Sequence, residues 1–174
     1  MNTIDITDII AAKKGIFLDI GCSDHKSLGS VGMDIRPVKG VDIVHNIEVT
    51  PWPLPDACCF RILASHIIEH LDPARMIAIL DEAWRVMLPE GQLCIAMPYA
   101  GSPRFYQDPT HKHAWNEVTA QYWSPSYPLY EVYRPKPWKI ELNEWQSIGD
   151  MQIIMSKMTL EDAAKCPYFS GNVG

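Results

Sequence analysis

The chain has no run of basic residues. Its 15 Lys and Arg are outnumbered by 21 Asp and Glu, a formal charge of −6, and a surface of that sign does not gather a nucleic-acid backbone. It has no apolar run near the roughly 20 residues that a membrane span needs. Its opening stretch, MNTIDITDII, carries acids where a signal peptide would carry Lys or Arg. A cytoplasmic location is the expectation, with neither nucleic acid nor membrane as partner. The five cysteines (Cys22, Cys58, Cys59, Cys94, Cys166) are odd in number and contain no C-x-x-C pair, so they read as reduced thiols without zinc-knuckle spacing. Cys58, Cys59 and Cys94 lie inside apolar runs, as small buried hydrophobes do. Repeats, low-complexity tracts and long linkers are also lacking. The 174 residues, 47% of them hydrophobic, therefore read as a single domain with its core over about residues 15–158.

What is present is a series of short apolar runs. Residues 15–20, 30–35, 41–44 and 60–65 are nearly continuous in apolar character and bounded by Gly, Pro or Asp, which predicts parallel strands covered on both faces. A fifth run, 92–97, follows the one strong helix signal. Asp72-Pro73 supplies an N-cap and a first-turn proline. Met76, Ile77, Leu80, Ala83, Trp84, Met87 and Leu88 then recur at helical spacing, opposite Arg75, Asp81, Glu82 and Arg85. Pro89-Glu90-Gly91 is expected to stop the helix in a turn. The stretch TPWPLPD reads as an extended surface loop, residues 115–123 as one short helix, and WKIELNEWQ and MQIIMSKM around SIGD as a closing antiparallel hairpin. Residues 161–174 read as a loosely held tail. The predicted class is α/β, a Rossmann-like, mostly parallel sheet with a C-terminal hairpin.

In such sheets ligands bind past the carboxyl ends of the strands. Asp19–Ser23, Asp34, Asn46 and Ser65–His70 all fall there. A dinucleotide fold would show G-x-G-x-x-G opening a helix that receives a pyrophosphate. Here Gly21 stands alone, and the ten residues between Ile20 and Val31 are too few for a full crossover helix, which is therefore expected to be reduced or absent. NAD is disfavoured. A phosphate-free nucleoside cofactor needs a glycine for close approach, a carboxylate for the ribose diol and a polar group for the adenine amine. Gly21, Asp34 and Asn46 answer those needs in that order, and S-adenosylmethionine fits.

The runs FLDIGCSD, GMDIRP, VDIVHNIE, CFRILASHIIEHLD and ILDEAWRVMLPEGQLCIAMPY, in that order over roughly residues 16–158, resemble the class I S-adenosylmethionine-dependent methyltransferases. The likeness is to the small type 11-like group with a shortened first crossover. The resemblance implies that Asp19 and Gly21 lie beside the methionine part of the cofactor, with Cys22 and Ser23 lining the turn. It implies Asp34 at the ribose, Ile35 near the adenine, Asn46 and Ile47 bordering that ring, and Ser65 and His66 below the sulfonium. Ser23 stands where the group usually has a second glycine, and Asn46 where aspartate is more usual. A non-catalytic cofactor binder of the same fold is the alternative those departures suit.

Two histidine clusters remain. HIIEH (His66, Glu69, His70) matches the H-x-x-E-H pattern of inverted zinc peptidases, but it follows a strand directly and precedes a helix cap, so a bend braced against a neighbouring loop is the plainer reading. QDPTHKHAW holds His111 and His113 in the loop after the fifth strand, and a similar DPTH element occurs in the acceptor region of the methyltransferase group. Either histidine, when neutral, could take the proton an oxygen or nitrogen acceptor must lose, worth a factor of about 10² to 10⁴. The rival readings are a plain turn, or a metal held by Asp108, His111 and His113; no metal is the expectation. Tyr99, Tyr106, Trp115, Tyr122 and Trp123 read as loop-to-core packing or an acceptor wall, Trp138 and Trp145 as core or cross-strand partners, and His25 and His45 as surface. The acceptor is expected to be a small or saccharide-like molecule.

Overall fold

The apolar runs pair side by side. In a computed structural model, which describes residues 15–169, seven strands form one sheet: β1 (Ile16–Ile20), β2 (Val31–Asp34), β3 (Ile43–Val44), β4 (Cys59–Ser65), β5 (Met87–Pro98), β6 (Trp138–Trp145) and β7 (Asp150–Lys157). Their order is β3-β2-β1-β4-β5-β7-β6. The first five run parallel, and β7 lies antiparallel to both β5 and β6. The expected hairpin is therefore in place, with β7 inserted between β5 and β6.

Register explains the burial. Leu18, Ile62, Leu93 and Met155 stand side by side across four strands, and each is 0% exposed. Ile20, Ala64, Ile95 and Ile153 form the next row and are buried as well. The opposite face is less covered: Leu63, Cys94 and Ile154 are half-buried, and Arg61 extends its guanidinium over the Phe17 ring, 5.9 Å from its centroid. The connection from β1 to β2 contains no helix, in line with its length.

The helix α1 (Met76–Val86) follows a 3₁₀ turn, Pro73–Arg75, capped by the Asp72 carboxylate, which accepts from Ala74 N. It ends one residue short of Met87 and Leu88, which were expected on its apolar face and instead open β5. Met87 pairs with Cys59, the register then slips, and Gln92 pairs with Arg61. The Pro89-Glu90-Gly91 turn is present as an excursion within β5, with Glu90 at φ 61°. Sheet pairing outweighs helical periodicity here, because Met87 finds a partner in Cys59.

Three further expectations are corrected. TPWPLPD is not merely a surface loop: Trp52 and Leu54 are buried, Trp52 N donates to Glu82 Oε1, and its indole N–H donates to the Ile47 carbonyl. The helix expected over 115–123 shrinks to the 3₁₀ turn Thr119–Trp123, because Trp115 and Trp123 stack on each other in the core at 5.3 Å. The tail is held through Phe169: Leu160–Ala163 is helical, Ala163 is fully buried, and the Phe169 ring lies 6.1 Å from that of Tyr130. Residues 170–174 lie outside the described part. All five cysteines are free, Trp138 is in the core, and Trp145, half exposed, meets Tyr99 at 6.1 Å. No helix among the described residues is long and apolar enough to cross a membrane.

Ile79, 0% exposed at the centre of α1, anchors the helix to the sheet. Ile79→Ala is expected to cost about 2–5 kcal/mol, measured as a lower urea midpoint at unchanged m-value.

Candidate functional site

The chain runs outward from β1 to β3, then returns to lay β4 on the other side of β1. Strand order thus reverses between β1 and β4, the position where open α/β sheets bind ligands. A cleft of about 180 Å³ opens there, lined by Gly21, Asp34, Ile35, His45, Asn46, Ile47, Glu48, Ile67, His70 and Leu71. A second hollow of about 270 Å³ lies across the Gly21 turn and is lined by Asp19, Cys22, Ser23, Leu63 and Ser65 among others. Nine of the ten residues that the resemblance assigns to the cofactor fall into these two spaces, with Gly21 shared. His66 lines neither.

Polar side chains build the turn after β1. Gly21 has φ 69°, and a Cβ there would come within 2.6 Å of Ile67 Cγ1, so the bend after β4 rests directly on it. Ser23, at the position of the second glycine, also takes a left-handed conformation, φ 50°. Its strained backbone is tied down: Ser23 N donates to Asp34 Oδ2 at 2.8 Å, and its hydroxyl accepts from Arg36 Nη2 at 2.7 Å. Arg36 N donates to the other Asp34 oxygen at 2.8 Å. Burial pushes the Asp34 carboxyl up, but the hydrogen bonds from Arg36 and Ser23 outweigh it and hold the pKa below the usual carboxylate value. Asp34 is thus ionised; Oδ1 also accepts from Arg36 Nε at 3.4 Å, so the lone pair left for a ligand is on Oδ2. Asp19, buried, accepts from Ser27 N at 2.8 Å. Cys22 has its thiol pushed up to about 11 by burial, with Asp19 and Asp34 adding to it, which leaves it protonated and unreactive.

Past β3, the Asn46 side-chain carbonyl accepts from Glu48 N at 3.0 Å, closing an Asx turn that presents buried Ile47 to the cleft. His45, expected on the surface, instead lines this cleft, its Nε2 2.7 Å from the Val49 carbonyl. Ile67 and His70 fall within the Ser65–His70 stretch expected at the site, and His45, Glu48 and Leu71 are the lining residues that motif reasoning misses. Each neighbours a strand-end residue that it finds.

Past β4, His66 sits at φ 52° and the next turn is 3₁₀, Ile68–His70. His66 and His70 therefore do not share an α-helical face, the geometry an inverted zinc peptidase needs. His66 Nδ1 lies 3.3 Å from Glu69 Oε1, and this contact raises the imidazole pKa against the effect of burial. The approach falls outside hydrogen-bond geometry, and both Glu69 oxygens lack a hydrogen-bond partner. The Glu69 carbonyl accepts from Lys112 N at 2.7 Å and His113 N at 3.1 Å, so the bend is braced against the loop after β5.

That loop separates the two histidines. His111 Nδ1 lies 2.7 Å from the Phe105 carbonyl, and its ring meets His70 edge to face at 4.8 Å. His113 turns elsewhere: its Nε2 accepts from the Trp115 indole at 3.2 Å, burial lowers its pKa, and it lines a different hollow of about 450 Å³ with Met76, Thr119, Tyr122, Trp123 and Tyr133. Asp108 accepts from Thr110 N and Oγ1, which closes a turn. Its Oδ2 is 3.9 Å from His111 Nε2, and with His113 turned away, Asp108, His111 and His113 do not converge.

No protein-family profile and no curated protein sequence matches the chain. Solved structures do. A S-adenosylmethionine-dependent methyltransferase from Archaeoglobus fulgidus is 23% identical with a TM-score of 0.59, over 89% of this chain and 92% of that one. One from Methanosarcina mazei is 15% identical at TM-score 0.57, over 89% and 98%. A 16S rRNA (adenine(1408)-N(1))-methyltransferase from Catenulisporales acidiphilia, solved with S-adenosylmethionine, is 13% identical at TM-score 0.56, over 91% and 92%. The chain has the class I methyltransferase fold.

The turn itself can be tested by stability. Gly21→Ala meets both the left-handed backbone and Ile67 and should cost roughly 1–2 kcal/mol or more. Ser23→Gly relieves a left-handed residue and should be neutral or up to about 1 kcal/mol stabilising. Chemical denaturation of the two variants checks the contrast.

Proposed function

We propose that the protein is a S-adenosylmethionine-dependent methyltransferase acting on a small-molecule or saccharide-like acceptor. The observation that carries the reading is the convergence of Gly21, ionised Asp34 and the Asn46–Ile47 turn on one cleft at the switch point. Asp34 meets the ribose hydroxyls through the lone pair left on Oδ2, Ile35 and Ile47 flank the adenine, and Asn46 faces its amine. The hollow formed by Asp19, Cys22, Ser23 and Ser65 takes the methionine part, with His66 beside it. When bound, the cofactor supplies an electrophilic methyl group, and the protein's task is to position the acceptor in line with it.

Of the two loop histidines, His111 packs against His70, which lines the cleft, so it is the one assigned to the acceptor side. Its Nδ1–H donates to the Phe105 carbonyl, which leaves the lone pair on Nε2. His113 holds the loop to the core. The net charge of −6 favours a small acceptor over a nucleic acid. A non-catalytic cofactor binder is the second reading, favoured by Ser23 in place of a second glycine and by the helix-free connection from β1 to β2. In either reading Ile67, which lines the cleft with its side chain against Gly21, stands at the turn the cofactor must pass.

Titration calorimetry with S-adenosylhomocysteine should show saturable one-to-one binding, and its absence overturns the assignment. Asp34→Ala removes charge-assisted hydrogen bonds worth about 1.5–3 kcal/mol each and should weaken binding roughly tenfold to a hundredfold or more. Ile67→Ala opens the passage and should tighten binding or leave it unchanged. A large loss of affinity would mean that Ile67 holds the cofactor instead of obstructing it. Turnover with an acceptor divides enzyme from binder, and His111→Ala should slow turnover by about 10² or more without weakening cofactor affinity.

A further inference from the structure

Glu69 is fully buried, 0% exposed, and neither carboxylate oxygen has a hydrogen-bond partner. Two buried carboxylate oxygens without a donor are unsatisfied polar groups that a bound cation would complete. His66 offers only a misaligned contact at 3.3 Å from the exposed side. One donor atom each of Glu69, His70 and His111 lies within 4.8 Å of the others. We propose that these three residues form a binding site for a divalent transition-metal ion, zinc by the chemistry of its donors, between the bend after β4 and the loop after β5.

The hydrogen bonds around the cluster prepare both imidazoles for this. The Thr110 hydroxyl gives its proton to Asp108 Oδ1 at 2.7 Å, so at 2.9 Å from His70 Nδ1 it acts as acceptor and holds that nitrogen protonated. His111 Nδ1 faces the Phe105 carbonyl at 2.7 Å, which can only accept. Both rings are thereby fixed as the tautomer that leaves Nε2 with its lone pair, the arrangement in which outer hydrogen bonds orient metal-ligating histidines. Two imidazole nitrogens and one carboxylate suit zinc and its neighbours better than magnesium or calcium, which prefer oxygen donors throughout. The main-chain bonds from Lys112 and His113 to the Glu69 carbonyl clamp the two segments together without an ion, so the donors are preorganised.

Three protein donors leave a position open on a four-coordinate ion. In the methyltransferase reading, on which only this role rests, that position takes an acceptor oxygen and lowers its pKa, and His111 is then a ligand in place of a free base.

The test uses the full chain stripped with a chelator and titrated with Zn²⁺ by dye competition, and with Co²⁺ by its visible absorption. One equivalent should bind saturably. His70→Ala and His111→Ala should each weaken binding about a hundredfold or more. Thr110→Val, an exposed change that removes the hydroxyl's hydrogen bonds to His70 and Asp108 and leaves all three ligands in place, should weaken it about tenfold to a hundredfold, with circular dichroism confirming that each variant is folded. Absence of saturable binding by the folded chain overturns the site, and so does an affinity that the His70 and His111 variants leave unmoved. S-adenosylhomocysteine binding measured on the same stripped sample separates the two conclusions: if it persists while the metal fails to bind, only the ion site falls.

Discussion

Ten residues connect β1 to β2 and eight connect β2 to β3, too few in either case for a helix to absorb the backbone N–H groups at the strand ends. Side chains take them up instead. Asp19 receives Ser27 N, Asp34 receives Ser23 N and Arg36 N, Asp42 receives Gly32 N, and Asn46 receives Glu48 N. The three aspartates serve the two short connections, and Asn46 serves the longer, also helix-free stretch after β3. Two of these carboxylates, Asp19 and Asp34, also line the spaces where a ligand would lie. In this protein the groups that let the connections be short are also the groups that shape the cleft.

Much of the architecture is legible in the sequence because its signals are local. Apolar runs bounded by glycine, proline and aspartate mark all five parallel strands, the SIGD turn marks the hairpin, and the ten-residue gap after Ile20 rules out the first crossover helix. What escapes local reading is decided by distant partners. Met87 and Leu88 carry helical periodicity, but Cys59 offers Met87 a strand to join. Trp52 sits in a proline-rich stretch that reads as surface until Glu82, from a distant part of the chain, receives its backbone N–H and the nearby Ile47 carbonyl its indole N–H. The tail beyond Leu160 has a polar composition, and only its contacts with the loop around Pro125 and Tyr130 hold it.

The same division runs through the candidate site. Gly21, Asp34 and Asn46 are visible because their residue types and positions at strand ends match a nucleoside's needs. His45 is not, since nothing in VDIVHNIE distinguishes a lining histidine from an exposed one. The histidines of QDPTHKHAW stand out as a pair, yet alternate residues of an extended loop point to opposite sides, and His111 and His113 serve different surroundings. Glu69 and His70 attract notice as part of a peptidase pattern. Their nearness to His111 depends on how the loop after β5 folds back, which no spacing in the sequence encodes.

The network around Glu82 makes the cleft sensitive to the helix. Glu82 accepts from Trp52 N and pairs with Arg85, which also reaches Asp56 and the Leu54 carbonyl, while the Trp52 indole holds the Ile47 carbonyl at the cleft floor. The chain of contacts leads from buried Glu82 on α1 to the Asn46–Ile47 turn. Random mutagenesis selecting for altered ligand preference should therefore recover changes on this helix and on the proline-rich segment beside it, at positions that touch no ligand.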